Sequence, residues 1–216
     1  MRKFFLLILL LLNLESFSSY LLIPMDNSQT NHLKSYGIAF LSIENEVKVD
    51  WLLNYKGGSF LIKHYPEIEK ECIVRGVSYQ IIADAQSTEI LRSISSPSVN
   101  QDVVRLEKIP KIAIYSPKNK QPWDDAVTMA LTYAEIPYDI IYDEEVLSGV
   151  LPLYDWLHLH HEDFTGQYGK FYATFKNATW YKEQKILYEQ LAIKLGFNKV
   201  SKEKLSVSIQ IKEFII

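Results

Sequence analysis

The densest group of titratable side chains in the chain is Trp156-Leu157-His158-Leu159-His160-His161-Glu162-Asp163. Imidazole and carboxylate both ligate metals and both carry protons near neutral pH, so the segment has the residue types for a metal site or for acid/base work. On a strand His158 and His160 share one face while His161 points to the other, so few imidazoles converge without help from elsewhere. The His-Glu-x-x-His order of zinc proteases is also missing. Hydrogen bonding within the fold, a polar ligand and a metal all stay open as uses. The reading adopted is that His160, His161, Glu162 and Asp163 bind ligand, with no metal and no cofactor assigned.

Other residue types offer less. Lys56-Gly57-Gly58-Ser59 has neither the dinucleotide-binding glycine fingerprint nor the Gly-Lys-Ser/Thr order of a phosphate loop, and reads as a turn. Cys72 lies inside a predicted helix with no strand-to-turn elbow before it, and reads as a packed thiol. Asp124 and Asp125 open a predicted helix, where the helix dipole favours carboxylates. The aromatic run Tyr168, Phe171, Tyr172, Phe175, Trp180 and Tyr181 suits packing or stacking on a sugar. No residue is assigned a catalytic role.

Such residues need elements to position them, and composition says the chain can build them. It has 216 residues, 48% of them hydrophobic, with eight Gly and eight Pro, the profile of a globular protein. Lys plus Arg is 23 against 26 Asp plus Glu, so the formal charge is −3 and there is no general attraction for nucleic acid. A single cysteine rules out an internal disulfide framework and a paired-cysteine zinc site. Met1 is followed by Arg2, Lys3, the apolar run Phe4 to Leu12 and the small residues Ser16, Ser18 and Ser19, which has the form of a signal peptide over residues 1–18. A retained anchor is the alternative, although a spanning helix needs about 20 apolar residues. The expected outcome is export to the periplasm or the exterior, with cleavage close to Ser18 and no stable membrane insertion afterwards. Mass spectrometry of the exported protein checks it, and intact Met1 in a membrane pellet would contradict it.

Along the rest of the chain, Leu21 to Met25 reads as a strand and Asn31 to Asn45 as a helix preceded by capping residues. Val47 to Leu53 reads as a strand and Glu67 to Arg75 as a helix. Ser78 to Ala83 and Gln86 to Ser95 repeat the pair, and Ser96 to Ile109 reads as a connection. Lys111 to Ser116, Trp123 to Ile136, Tyr138 to Tyr142 and Tyr154 to His160 continue as strand, helix, strand, strand, before helices at Thr179 to Leu195 and Lys202 to Phe214. Strands alternating with helices predict an α/β fold with a doubly wound, mostly parallel sheet, in two α/β halves, 19–109 and 110–216. Ligands of such sheets sit beyond the carboxyl ends of the strands, which adds Asp26, Asn27 and Asp84 to the expected ligand-binding set and leaves Ser116 at a strand end as well. The final helix stops at Phe214-Ile215-Ile216 without a capping glycine, and the second half is expected to be incomplete, the fold truncated at its C-terminus.

The segments Tyr20 to His32, Trp51 to Phe60 and Leu153 to Tyr168 resemble a family of exported bacterial proteins labelled asparagine synthetase B, across essentially the whole chain after the leader. The resemblance implies a fold similar to the class I glutamine amidotransferases, with a flavodoxin-like sheet. The chemistry of the label does not follow from the residues. A glutamine-hydrolysing synthetase exposes an N-terminal cysteine and carries a Ser-Gly-Gly-x-Asp-Ser loop, whereas this chain begins Met1-Arg2 and its Gly57-Gly58-Ser59 runs on into Phe60-Leu61. The elbow cysteine of a class I amidotransferase has no counterpart either. The function expected is therefore binding of a polar small molecule or an envelope protein partner at the strand ends. The alternative is an amidotransferase or hydrolase whose nucleophile lies beyond this chain.

Overall fold

The computed structural model describes residues 19–117, 125–159 and 174–215. The chain divides after Ile109 into two units, with Tyr133–Ile136 counted in the first.

The first unit holds β1 (Ser19–Ile23), α1 (His32–Glu44), β2 (Val49–Leu53), β3 (Ser59–Lys63), α2 (Pro66–Arg75), β4 (Gln80–Ala83), α3 (Asp84–Ile94) and β5 (Asp102–Leu106). Its five strands lie in the order β4-β1-β3-β2-β5, and every neighbouring pair is antiparallel. The order 4-1-3-2 over the first six elements is that of a split β-α-β, or ferredoxin-like, topology, extended here by α3 and β5. Alternation along the strands makes two cores. Leu21, Ile23, Val49, Phe60 and Ile62 pack with Ile38 of α1 and with Ile68 and Cys72 of α2. Leu22, Leu52 and Leu61 pack with Ile82 of β4 and with Ile94 and Leu91 of α3 on the other face. Cys72 is fully buried, and burial pushes its thiol up to about 12, so it is a core residue and no nucleophile.

This sheet overturns the expectation of a mostly parallel, doubly wound, flavodoxin-like or amidotransferase-like fold. The β1-α1-β2 unit is there and its strands do run the same way, but they are not neighbours. Ser59–Lys63, of which the sequence reading places only Ser59, in a turn, is a strand that fills the place between them. The connection Asn54 to Gly58 is too short for a crossover, so β3 must return antiparallel to β2. Within the stretch read as a connection, Asp102–Leu106 adds a further antiparallel edge strand, with Asp50 opposite Arg105 and a carboxylate–guanidinium bond of 2.7 Å.

Local chemistry explains the element ends. Asn31 caps α1 by accepting the amide of Lys34 at 3.2 Å. Pro66 opens α2 at a position whose amide would have no helical partner, and Gly76 closes it at φ 66°. Gln29 is buried with its amide group fully used: its Nε2 donates to the carbonyls of Pro24 and Ser78, and its Oε1 accepts the amides of Ser78 and Asn31. The turn after β1 is thereby tied to the segment before β4.

The second unit holds β6 (Ile112–Tyr115), α4 (Ala126–Ala134), β7 (Asp139–Ile141), α5 (Asp143–Leu147), a 3-10 turn (Leu151–Leu153), β8 (Trp156–Leu159), α6 (Thr179–Lys194) and α7 (Val200–Ile215). Its three strands are parallel in the order β7-β6-β8. Ala113, Tyr115 and Ile141 pack with Val146 of α5 and with Val207 and Ile211 of α7. Among the described residues no helix is long and apolar enough to cross a membrane.

Candidate functional site

In the second unit the chain leaves β6 for β7 on one flank and returns to β8 on the other. The order therefore reverses at β6, and beyond its carboxyl end is where parallel sheets place their ligands. Three polar side chains from three elements mark this end. Ser116 directly follows β6 and continues its pairing, donating its amide to the Ile141 carbonyl at 3.0 Å. His158 sits on β8 in register with Ile114, and alternation puts Ser116 on the same face as both. Asp125 immediately precedes α4.

Asp125 does two jobs. It caps the helix, accepting the amides of Val127 and Thr128 at 3.3 Å each and the Thr128 hydroxyl at 2.5 Å. Its Oδ2 also lies 2.9 Å from His158 Nε2, with only 10% of its side chain exposed. Burial pushes the carboxyl up, but the Thr128 hydroxyl, the Val127 amide, the charge of His158 and the Thr128 amide outweigh it and hold the pKa at about 2. A carboxyl lowered from 3.8 contributes stability that is complete above its ordinary value and is lost as pH falls toward the folded one. The contribution is about 2 kcal/mol. Urea midpoints for the second unit should therefore drop between about pH 5 and about pH 2.5, and the drop should be smaller in Asp125→Asn. Equal acid sensitivity in both proteins would contradict this reading.

Ser116 presents the opposite situation. It is 1% exposed, and among the described residues its Oγ has no hydrogen-bond partner. A buried hydroxyl left in this state costs free energy, about 1–3 kcal/mol. Pro117, the next residue, lines a groove of about 210 Å³ whose wall is built by Tyr142, Glu144, Gln184, Leu187 and Tyr188 from the end of β7, α5 and α6. Gln184 Nε2 donates to the Tyr188 hydroxyl at 2.8 Å. Under the groove, Asp143 is fully buried, accepts a hydrogen bond from the Tyr115 hydroxyl and takes the Lys204 ammonium at 2.7 Å. Lys204 lies 4.5 Å from the centre of the Tyr142 ring and 5.3 Å from that of Tyr188, so a single cation holds the two tyrosines of the groove. No family model, curated protein or solved structure matches this chain.

The residues expected from sequence fall in different places. His160, His161, Glu162 and Asp163 lie outside the described residues; His158, from the same segment, pairs with Asp125. Asp26 follows β1 in a tight turn, where the Ser28 hydroxyl and amide bond its carboxylate and hold it below the usual range. Asn27 is exposed beside it. Asp84 stands at the other end of the same sheet, because β4 is antiparallel to β1 and Ala83 pairs with Ser19. Asp26, Asn27 and Asp84 do not converge: the shared strand end assumed for them required parallel neighbours. Among the described residues no group of three metal-ligating side chains gathers.

Asp125 was visible in sequence only as a first-turn carboxylate, and Asp143 with Lys204 not at all. Their separations, 33 residues from Asp125 to His158 and 61 from Asp143 to Lys204, leave no local pattern to read.

Proposed function

We propose that the second unit binds a polar small molecule beyond the carboxyl end of β6, on the face that carries His158, with the Ser116 hydroxyl as its buried hydrogen-bonding contact. The observation that carries this reading is the buried Ser116 Oγ, which has no partner among the described residues, at the switch point of a parallel sheet. The His158–Asp125 pair acts as the rigid neighbour, a charged contact held in one geometry by a helix cap.

The test exploits the cost of the lone hydroxyl. Ser116→Ala removes a buried group that has no partner among the described residues, so it should raise apo stability by about 1 kcal/mol. The same variant should lose the thermal shift that wild type shows with members of a panel of free amino acids, nucleosides and monosaccharides. A Ser116→Ala protein less stable than wild type would mean that the hydroxyl serves the fold, and would overturn the proposal.

A further inference from the structure

The first unit carries a second constellation, at the end of the sheet where β1 begins and β3 ends. The β1–β3 register pairs Tyr20 with Lys63, and the His64 amide donates to the Ser19 carbonyl at 2.9 Å, so Ser19 and His64 are the next cross-strand pair. Alternation sends both side chains to the face covered by α2, the face of Leu21 and Ile62. There Ser19 Oγ lies 3.0 Å from His64 Nδ1. The other ring nitrogen, Nε2, lies 2.7 Å from Glu69 Oε2 on α2, and the Tyr79 hydroxyl donates to Glu69 Oε1 at 2.9 Å. Hydroxyl, imidazole and carboxylate thus form one chain of hydrogen bonds, with a tyrosine fixing the far oxygen of the carboxylate.

The direction of the protons follows from the partners. Glu69 is held ionised by His64 first and by Tyr79 second, so it accepts, and Nε2 carries the hydrogen. Nδ1 is then the unprotonated nitrogen and accepts from the Ser19 hydroxyl. Hydroxyl, imidazole and carboxylate are the groups that activate serine nucleophiles, here with the hydroxyl on Nδ1 and the carboxylate on Nε2, the reverse of the usual assignment of the two nitrogens. The base can be reached, since 21% of the His64 side chain is exposed. α2 opens at Pro66, two residues after His64, and its N-cap Tyr65 makes no side-chain cap.

We propose that Ser19, His64 and Glu69 form an acyl-transfer site that hydrolyses small carboxylic esters, with Ser19 as nucleophile, His64 as general base and Glu69 as the positioning residue. Ser19 Oγ attacks the ester carbonyl carbon while its proton passes to His64 Nδ1. The tetrahedral adduct collapses, the bond to the leaving oxygen breaks, and Nδ1 returns the proton to that oxygen, releasing the alcohol and leaving an acyl-serine. Water then attacks the acyl carbon, giving its proton to Nδ1. Collapse of this second adduct breaks the bond from the acyl carbon to Ser19 Oγ, to which Nδ1 returns the proton, and frees the carboxylic acid. Nothing is oxidised or reduced.

Full-length protein is incubated with a fluorophosphonate probe and digested, and the modified residue is located by mass spectrometry; turnover is followed in parallel with p-nitrophenyl acetate. The expected results are a label on Ser19 and hydrolysis above the buffer rate. Ser19→Ala should abolish both, and His64→Gln should lower kcat by about 100-fold or more. Glu69→Gln should lower kcat with KM unchanged, and Glu69→Asp should recover part of the loss. Labelling of wild type needs no variant, so the proposal stays testable if one of them misfolds. Absence of label on Ser19, or hydrolysis by Ser19→Ala at the wild-type rate, would overturn it. Because the readout involves neither Ser116 nor the second unit, it is independent of the ligand site proposed there.

Discussion

Gly57→Ala should destabilise the first unit by about 3 kcal/mol, several times the effect of the same change at Gly76. Both glycines have positive φ, 78° and 66°, a region where a Cβ costs about 1 kcal/mol. They differ in their surroundings. A Cβ on Gly76 meets no atom within 4 Å, whereas one on Gly57 would stand 2.4 Å from the Met25 carbonyl oxygen and 2.8 Å from the Asp26 amide nitrogen. Those atoms are backbone and cannot rotate away. The strain reaches the sheet because the Met25 amide donates to the Lys56 carbonyl at 2.9 Å, holding the end of β1 against the β2–β3 turn. Trp51 adds a second tie, donating its indole N–H to the Gly58 carbonyl at 3.0 Å. Hydrogen exchange on peptides covering β1 to β3 measures the effect within the unit, and equal losses at Gly57 and Gly76 would show that the close approach to Met25 is not rigid.

Asp143→Ala should cost the second unit about 3 kcal/mol. The carboxylate is fully buried and answers two donors, the Tyr115 hydroxyl and the Lys204 ammonium, and Lys204 also bonds the Tyr142 hydroxyl at 2.8 Å. Removing the carboxylate leaves the cation beside two rings and a hydroxyl with its countercharge gone. Breaking such a pair from one side is more harmful than replacing both partners, since an uncompensated charge remains in the first case only. Asp143→Leu combined with Lys204→Met should therefore be less destabilising than Asp143→Ala alone, a sign that additivity cannot produce. Urea unfolding of the three proteins decides it. A double variant worse than the single one would mean that the pair contributes more than the charge balance of its parts.

The sequence was informative wherever a signal was local. Asn31 before an apolar helical period marks the start of α1, and Pro66 and Gly76 bracket α2, as their side-chain and backbone chemistry requires. Cys72 between helical apolar positions is the packed thiol expected of it. The strand carrying His158 was read at Tyr154 to His160 and is observed at Trp156–Leu159. By contrast, Ser59–Lys63 is buried on both faces, so its Phe60-Leu61-Ile62 shows no alternation to advertise a strand. Asp102–Leu106 is mostly exposed at a sheet edge, and its Val103-Val104 pair breaks the alternation that would mark a strand.

What residue types and short spacings determined, then, was most of the helices, though not α5 (Asp143–Leu147), with the cap of α1 and the glycine turn at 57. Only the tertiary structure decided which strands are neighbours. Two strands joined by a helix can lie side by side or leave room for a third, and the backbone near either strand is the same in both cases. The choice falls to β3, whose Phe60, Leu61 and Ile62 are apolar on both faces and lose the most by staying at an edge; placed between β1 and β2, all three are covered. That one placement turns a parallel sheet into an antiparallel one. It sends Asp84 away from Asp26, and it brings Ser19 across from His64, a pairing 45 residues apart that no window of sequence contains.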